Sequence, residues 1–311
     1  MAARRKTGAK AKRRAKSSAS WAVLCAVALV LAAAQLLRDA LPDVPHGTAA
    51  ASPAELCAEE SPAGGEPAAP CRPVEPSDAG TVRCEVRSEL PAAASGNPVI
   101  EHMGYTVSYD CEALNPEWVA YELTAYETEG DLGRASRFTR DPDLMGAQAE
   151  DSDFRHSGWD RGHMAPAADM KWSSQAMKES FYLTNICPQN HNLNAGDWKS
   201  LEESCRSWAR RFGRVWIACG PIFDCGEYGT IGDNGVVVPD GFYKVVLARV
   251  GDRCEAAGFL FRNRAGHKSL RSCVVTVDSV ETVTGQDFFC NLPDTVQCTA
   301  ESRVDTVFWG L

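Results

Sequence analysis

The chain has 311 residues, 44% of them hydrophobic, which is enough for one sizeable globular domain with additional segments. Its formal net charge is −9; once the nine basic and two acidic residues of 1–45 are set aside, 23 basic and 39 acidic residues remain. That balance of −16 excludes nucleic-acid binding by bulk electrostatic attraction, so any such binding depends on a local basic cleft and has modest affinity with strong salt sensitivity.

Residues 1–45 predict an export signal. The first twenty residues contain eight Lys or Arg and no acid, and 21–34 form an uninterrupted apolar run with small residues at its end for cleavage. An uncleaved signal anchor is an alternative, although a span needs roughly 20 apolar residues. A mitochondrial transit peptide is another, but transit helices are amphipathic. We expect an extracytoplasmic protein, either secreted or attached to the cell membrane through this segment.

The cysteines predict disulfide bonds. Twelve of the thirteen lie outside the apolar run, and an even, scattered set is typical of disulfides in an exported chain, with the pairing left open. A structural zinc site is the alternative, with Cys187, His191 and Cys205 as its best case. Because the chain has no paired Cys-x-x-Cys clusters, zinc is the weaker interpretation.

Composition divides the rest of the chain in two. Residues 46–96 are rich in Ala, Pro, Glu, Gly and Ser and contain few large apolar residues. Such a segment cannot bury enough surface to offset its ordering entropy, so we expect a stalk. The folded domain is predicted to span 97–311.

The predicted elements of this domain are mostly strands. Alternating or continuous apolar patterns between turn signals predict strands over 106–109, 118–126, 181–186, 215–219, 235–238, 242–250 and 255–261. An apolar period of 3.6 predicts a helix over 194–212, and shorter helices are expected over 266–271 and 280–284. The fold class that follows is α+β, with a mixed, largely antiparallel central sheet flanked by helices.

Residues with catalytic potential gather in one window of the chain. Asp160-Arg161-Gly162-His163 is followed by Asn185, Asn194 and Glu202. An imidazole, an amide, a carboxylate and a guanidinium suit a single-metal phosphodiesterase, which needs a base to activate water, a cation for the developing charge and a positive side chain on the phosphate. The tetrapeptide alone is a weak signal, since four-residue strings arise by chance.

The longer pattern is more specific. Asp160 to Pro166, Phe181 to Gln189 and Leu193 to Glu202 together closely resemble the DNA/RNA non-specific endonuclease family, whose members share the ββα-metal (His-Me finger) active site. The similarity is strongest over 159–202 and extends with weaker landmarks over 97–310. Residues 1–96 lie outside it.

The resemblance implies roles for the main site residues. His163 would be the general base, since a neutral imidazole can accept a proton from water. Asn194 would bind the metal, although an N-cap of the following helix is the structural alternative. Glu202, a little over two helical turns later, would hold the water shell of that metal, and a salt bridge with solvent-exposed partners is its alternative.

Other residues are expected to support this centre. Arg161 would contact the phosphate or brace its loop, and Asn185 would position the substrate or the histidine. The family also uses an arginine from the preceding loop against the transition-state charge. Arg134 and Arg137 both fit that position and the sequence does not separate them; Arg137 is our candidate.

The function that the resemblance implies is hydrolysis of phosphodiester bonds in DNA and RNA, with Mg²⁺ as the cofactor, Mn²⁺ as a substitute and 5′-phosphate products. A different class of hypothesis is a catalytically silent surface protein that binds nucleic acid for adhesion or uptake. A serine hydrolase using Ser157 or Ser173 ranks low, because the chain has no Gly-x-Ser-x-Gly elbow.

Overall fold

The computed structural model describes residues 87–92, 95–224, 226–266 and 269–311. All of them belong to one unit, Gly80–Leu311. The predicted export segment and the greater part of the predicted stalk lie outside the described residues, as do Cys57, Cys71, Cys84 and Cys225. The division of the chain at 45 and 96 therefore stays a prediction.

A seven-stranded sheet with the order β1-β2-β3-β6-β9-β10-β11 forms the centre of the domain. Every neighbouring pair in it is antiparallel. Its strands are β1 (Val99–Glu101), β2 (Thr106–Asp110), β3 (Asn115–Thr124), β6 (Arg214–Ile222), β9 (Gly241–Val250), β10 (Arg253–Arg262) and β11 (Val274–Val275). The predicted α+β class with a largely antiparallel sheet is confirmed.

Both faces of this sheet are covered. Side chains alternate across a strand, so Val245 and Val246 of β9 enter different cores. The core that contains Val246 also contains Leu201 of a long helix, whereas the core that contains Val245 also contains Val280 of a shorter one. Burial on both faces explains why β9 and β10 read as nearly continuous apolar runs.

Among the described residues, five helices accompany the sheet. They are α1 (Ser174–Glu179), α2 (Lys199–Phe212), α3 (Val277–Thr284), α4 (Asp294–Glu301) and α5 (Thr306–Trp309). A wider helical turn, Leu193–Trp198, leads directly into α2, which accounts for the helix predicted over 194–212. The helix predicted over 280–284 is the second half of α3, and in place of the one over 266–271 the described residues form a single turn at Leu270–Ser272.

Two small two-stranded antiparallel sheets complete the described part of the fold: β4 (Asp160–His163) with β5 (Ile186–Gln189), and β7 (Thr230–Ile231) with β8 (Val236–Val237). The strand predicted over 181–186 is wrong, because the chain makes a helical turn at Leu183–Asn185 before β5. The side chain of Asn185 in that turn bonds to the main chain of Ala165, which follows β4.

The predicted disulfides are not present among the described residues. Their eight cysteines are free thiols: Cys111, Cys187, Cys205, Cys219, Cys254, Cys273, Cys290 and Cys298. Cys219 instead donates to the carbonyl of Met164 at 3.3 Å. The alternative of a structural zinc site is not supported either. Zinc binds the deprotonated thiolate, whereas burial raises the pKa of the Cys205 thiol to about 12.

Candidate active site

One pocket of about 260 Å³ collects the motif residues. It is lined by Arg134, Arg161, His163, Pro166, Ala167, Ala168, Asn194, Lys199, Glu202 and Arg206. Four predicted site residues are therefore neighbours: His163, Arg161, Asn194 and Glu202. Sequence reasoning did not single out Lys199 and Arg206, although they lie three residues before and four after Glu202. On α2 that spacing places all three on one face, which is the signal that could have identified them.

His163 ends β4 with its ring almost completely buried, at 6% exposure. The rings of Phe138 and Phe181 pack against it with centroids 5.4 and 5.0 Å away. Burial lowers the pKa of the imidazole to about 3; the nearby charge of Arg134 lowers it further, and a hydrogen bond to the main chain of Arg161 opposes the shift. Nε2 has no hydrogen-bond partner among the described residues. The ring is thus neutral and can accept a proton at Nε2.

Gly162 allows this placement of His163. A β-carbon on Gly162 would lie 2.6 Å from the Cβ of Gln189, its close neighbour on β5. Only glycine therefore lets the two strands approach in this register, in which Gly162 pairs with Cys187 and His163 with Ile186. The carbonyl of His163 also accepts a hydrogen bond from the indole of Trp198 at 3.1 Å.

Asn185 does not line the pocket but fixes the chain beyond His163. Its side chain is fully buried, and its Oδ1 accepts from the Ala165 amide at 2.8 Å. Its Nδ2 donates to the carbonyls of Ala165 and Ser180 at 2.8 and 2.9 Å. All of these contacts are internal, so the geometry favours a role in positioning His163.

Asn194 lies within the turn Leu193–Trp198, an insertion into helical geometry of a kind that is common at functional sites. Its Nδ2 donates to Oδ2 of Asp160 at 2.9 Å, which orients the amide. The side chain makes no helix-capping bond, so the N-cap alternative fails. Asp160 also lies 2.9 Å from Nδ1 of His191, whose side chain is exposed.

This donor set fits a hydrated divalent cation. With Nδ2 bound to Asp160, the Oδ1 of Asn194 is the atom left to bind a metal, and Glu202 adds a half-buried carboxylate in the same pocket. One amide oxygen suits an ion that keeps most of its water ligands. Burial raises the pKa of Glu202 to about 7, and the charge of the buried Lys244 opposes that rise, as a bound cation would.

The arginines are held by defined contacts. Arg161 donates from Nη2 to the Asp151 carbonyl at 2.8 Å, and its guanidinium lies over the ring of Phe138. Arg134 lies over the ring of Phe181, 5.2 Å from its centroid. Arg137 is exposed and is not among the residues that line the pocket. Of the two arginines that the sequence left open, Arg134 is the one that faces His163.

A network of buried charges lies behind the pocket. Arg206 donates to Oδ1 of Asp169 at 2.6 Å, and the Tyr121 hydroxyl donates to Oδ2 of the same carboxylate at 3.0 Å. Lys244 is fully buried with its Nζ 4.6 Å from the centroid of the Trp198 ring. Neighbouring acidic and thiol groups raise the pKa of Lys244 against the opposing effect of burial, so it carries a charge.

A neutral buried imidazole therefore shares one pocket with an amide, a carboxylate and four basic side chains. The sequence model of the DNA/RNA non-specific endonuclease family matches residues 88–295. The chain belongs to this family, as its motif predicted.

Similarity to individual proteins supports the same family assignment. Over 222 residues the chain is 35% identical to "Nuclease EXOG, mitochondrial" of Homo sapiens, a match that covers 66% of this chain and 60% of that protein. Over 202 residues it is 33% identical to "Endonuclease G, mitochondrial" of Homo sapiens, covering 60% and 68%. A crystal structure of the EndoG/EndoGI complex superposes with a TM-score of 0.61 at 28% identity, covering 65% of this chain and 89% of that one. The chain spans 46% to 62% of the length of the EXOG relatives it matches.

The predicted extracytoplasmic location is contradicted by these relatives, which are named as mitochondrial nucleases; Nuclease 1 of Schizosaccharomyces pombe, 34% identical over 212 residues, is another. The physical reason for the error is that a basic, acid-poor N-terminus is shared by export signals and transit peptides. Among the described residues no helix is long and apolar enough to cross a membrane. The apolar run at 21–34 lies outside them.

We expect the ring of His163 to stay neutral from pH 8 to pH 5, because its pKa is lowered to about 3. NMR titration of labelled protein, with the signal assigned by its loss in His163→Ala, measures this directly. Since only the unfolded chain takes up this proton between about pH 6.5 and 3, the stability contributed by a neutral His163 is lost as the pH falls through that window. Protonation of the native ring near pH 6.5 would contradict the assignment.

Proposed function

We propose that this chain is a metal-dependent endonuclease that hydrolyses phosphodiester bonds in both DNA and RNA. The observation that carries the proposal is that His163, whose buried Nε2 has no hydrogen-bond partner among the described residues, lines the same pocket as Asn194 and four basic side chains. A histidine that served only the structure would have both nitrogens satisfied at such burial. Membership of the family and the nuclease relatives support the same activity.

In this mechanism His163 is the general base. Its neutral Nε2 takes a proton from a water molecule as the oxygen of that water attacks phosphorus in line with the departing 3′ oxygen. The P–O3′ bond breaks, the 3′ oxygen takes a proton from solvent, and the phosphate remains on the 5′ side. The hydrogen bond from the ring to the main chain of Arg161 stabilises the imidazolium that forms.

The basic side chains of the pocket bind the phosphate. Arg161 is fixed by Asp151, and Arg206 is fixed by the buried Asp169, so both present guanidinium groups at little entropic cost on binding. Arg134 and Lys199 are more exposed and add positive charge at the rim. Cations that contact phosphate carry no sequence information, which agrees with cleavage of DNA and RNA with little sequence preference.

Asn194 would hold the cofactor, Mg²⁺ or Mn²⁺ in its place, through Oδ1, with Glu202 directed at its water shell. Bound there, the cation would supply positive charge for the departing oxygen and the phosphoryl group. Asp160 keeps the Asn194 amide in the orientation that this requires.

The alternatives have less support. A silent nucleic-acid-binding protein would need the cations of the pocket but not a buried, unpartnered imidazole. A serine hydrolase would need a free hydroxyl, whereas Ser157 donates to the carbonyl of Phe154 and Ser173 caps α1. Neither serine lines the pocket of His163.

His163→Ala is expected to lower kcat on plasmid DNA by roughly 10²–10⁴-fold, the range for a lost general base. The exposed His156→Asn variant is the matched control; it replaces a histidine at φ 58°, a conformation that asparagine tolerates, and should keep wild-type kcat. Thermal unfolding of both variants checks that they are folded. A folded His163→Ala enzyme with near wild-type turnover would remove His163 from the mechanism.

Arg134 and Arg137 form a matched pair for the phosphate contact. Arg134→Ala should lower kcat/KM by about tenfold or more, because an arginine at the pocket rim stabilises the anionic transition state. Arg137→Ala should change it less than about twofold at moderate salt. Initial rates on a short duplex measure both, and a larger loss in Arg137→Ala would restore the assignment made from sequence.

A further inference from the structure

A second group of carboxylates lies away from the active site, where α3 meets the end of α4. One carboxylate oxygen from each of Asp278, Glu281 and Glu301 lies within 4.8 Å of the other two. Asp278 and Glu281 are three residues apart on α3 and therefore share a face, while Glu301 is the last residue of α4. Both helices pack on the face of the sheet opposite α2.

Glu301 is the unusual member of this carboxylate cluster. It is only 4% exposed, and its Oε1 has no hydrogen-bond partner among the described residues. Two other buried carboxylates are paired with cations, Asp169 with Arg206 and Glu255 with both Arg253 and Arg303. Buried Asp153 and Glu179 instead accept hydrogen bonds from neutral donors. In the described part of the chain no lysine or arginine forms an ion pair with any of the three cluster residues.

The surroundings oppose a negative charge on Glu301. Asp278 and Glu281 each bring a carboxylate oxygen within 4.8 Å of it, and the side chain of Gln297 donates a hydrogen bond to it. The carboxylate also lies at the C-terminal end of α4, where the helix dipole disfavours an anion. A buried acid of this kind must either hold a proton or face a cation that the protein itself does not supply.

We propose that Asp278, Glu281 and Glu301 bind one Ca²⁺ ion that ties α3 to α4. The three side chains offer only carboxylate oxygens, which suit a hard cation and exclude the nitrogen and sulfur ligands that zinc prefers. Ca²⁺ takes six to eight oxygens in a flexible geometry, and carboxylates bind it in one- or two-oxygen modes. The exposed Asp278 leaves that side of the cluster open for water ligands.

The role of this ion would be structural. Val280 of α3 and Ala300 of α4 belong to the same apolar core, so a cation bridging Glu281 and Glu301 would join the two helices above it. The cluster includes no residue of the His163 pocket, and the metal of the proposed catalytic mechanism is a separate ion. The inference therefore stands independently of the proposed nuclease activity.

The Asn194→Ala variant lacks the proposed ligand of the catalytic metal. It therefore allows Ca²⁺ binding at the carboxylate cluster to be measured separately from metal binding at the active site. After treatment with EDTA, Ca²⁺ at about a hundred times its Kd should raise the Tm of this variant by roughly 5–10 °C. Calorimetry should give one Ca²⁺ per chain. Adding Glu301→Gln should abolish both signals, whereas adding the exposed Glu112→Gln as a control should leave them unchanged.

A second variant, at an exposed residue of the cluster, keeps the test valid if Glu301→Gln does not fold. Asp278→Asn changes an exposed side chain and should weaken Ca²⁺ binding at least tenfold without altering the Tm measured in EDTA. The proposal is overturned if Ca²⁺ does not change the Tm of Asn194→Ala, if Glu301→Gln or Asp278→Asn keeps the full response, or if Mg²⁺ gives the shift and Ca²⁺ does not.

Discussion

The structure depends on keeping one uncharged imidazole buried with a single free nitrogen. His163 is packed between Phe138 and Phe181, bonded to the main chain of Arg161 and unpartnered at Nε2. Protonation of such a buried ring would destabilise the folded protein. An internal hydrogen bond to Nε2 would occupy the atom proposed to accept the proton. The fit of Gly162 against Gln189 and the internal hydrogen bonds of Asn185 keep the ring in this place.

An amide and a guanidinium near that ring are positioned by acids that take no direct part in the proposed chemistry. Asp160 orients Asn194, and Asp169 orients Arg206 from behind the pocket. The Asp169–Arg206 ion pair is short and largely buried, so salt screens it less than it screens surface pairs. These pairings explain how a domain with a large excess of acidic residues can present a basic pocket, because the acids inside it fix the cations at the surface.

The sequence predicted most where the pattern was repetitive or the motif long. The apolar runs of β9 and β10 identified two central strands, and the motif from Asp160 to Glu202 identified the family. It could not separate Arg134 from Arg137, because their positions relative to the ring of Phe181 depend on the fold; Arg134 lies over that ring. The extracytoplasmic location is wrong, and the described cysteines form no disulfides; the two predictions are linked because the cysteine argument depends on the compartment that the N-terminus indicates.

Digestion of plasmid DNA and of a defined RNA tests most directly whether this pocket cleaves nucleic acid with the help of a metal ion. We expect that both substrates are cut internally, that EDTA stops cleavage, and that added Mg²⁺ restores it with 5′-phosphate ends. Binding of both substrates without any cleavage in Mg²⁺, or cleavage that persists unchanged in excess EDTA, would contradict it.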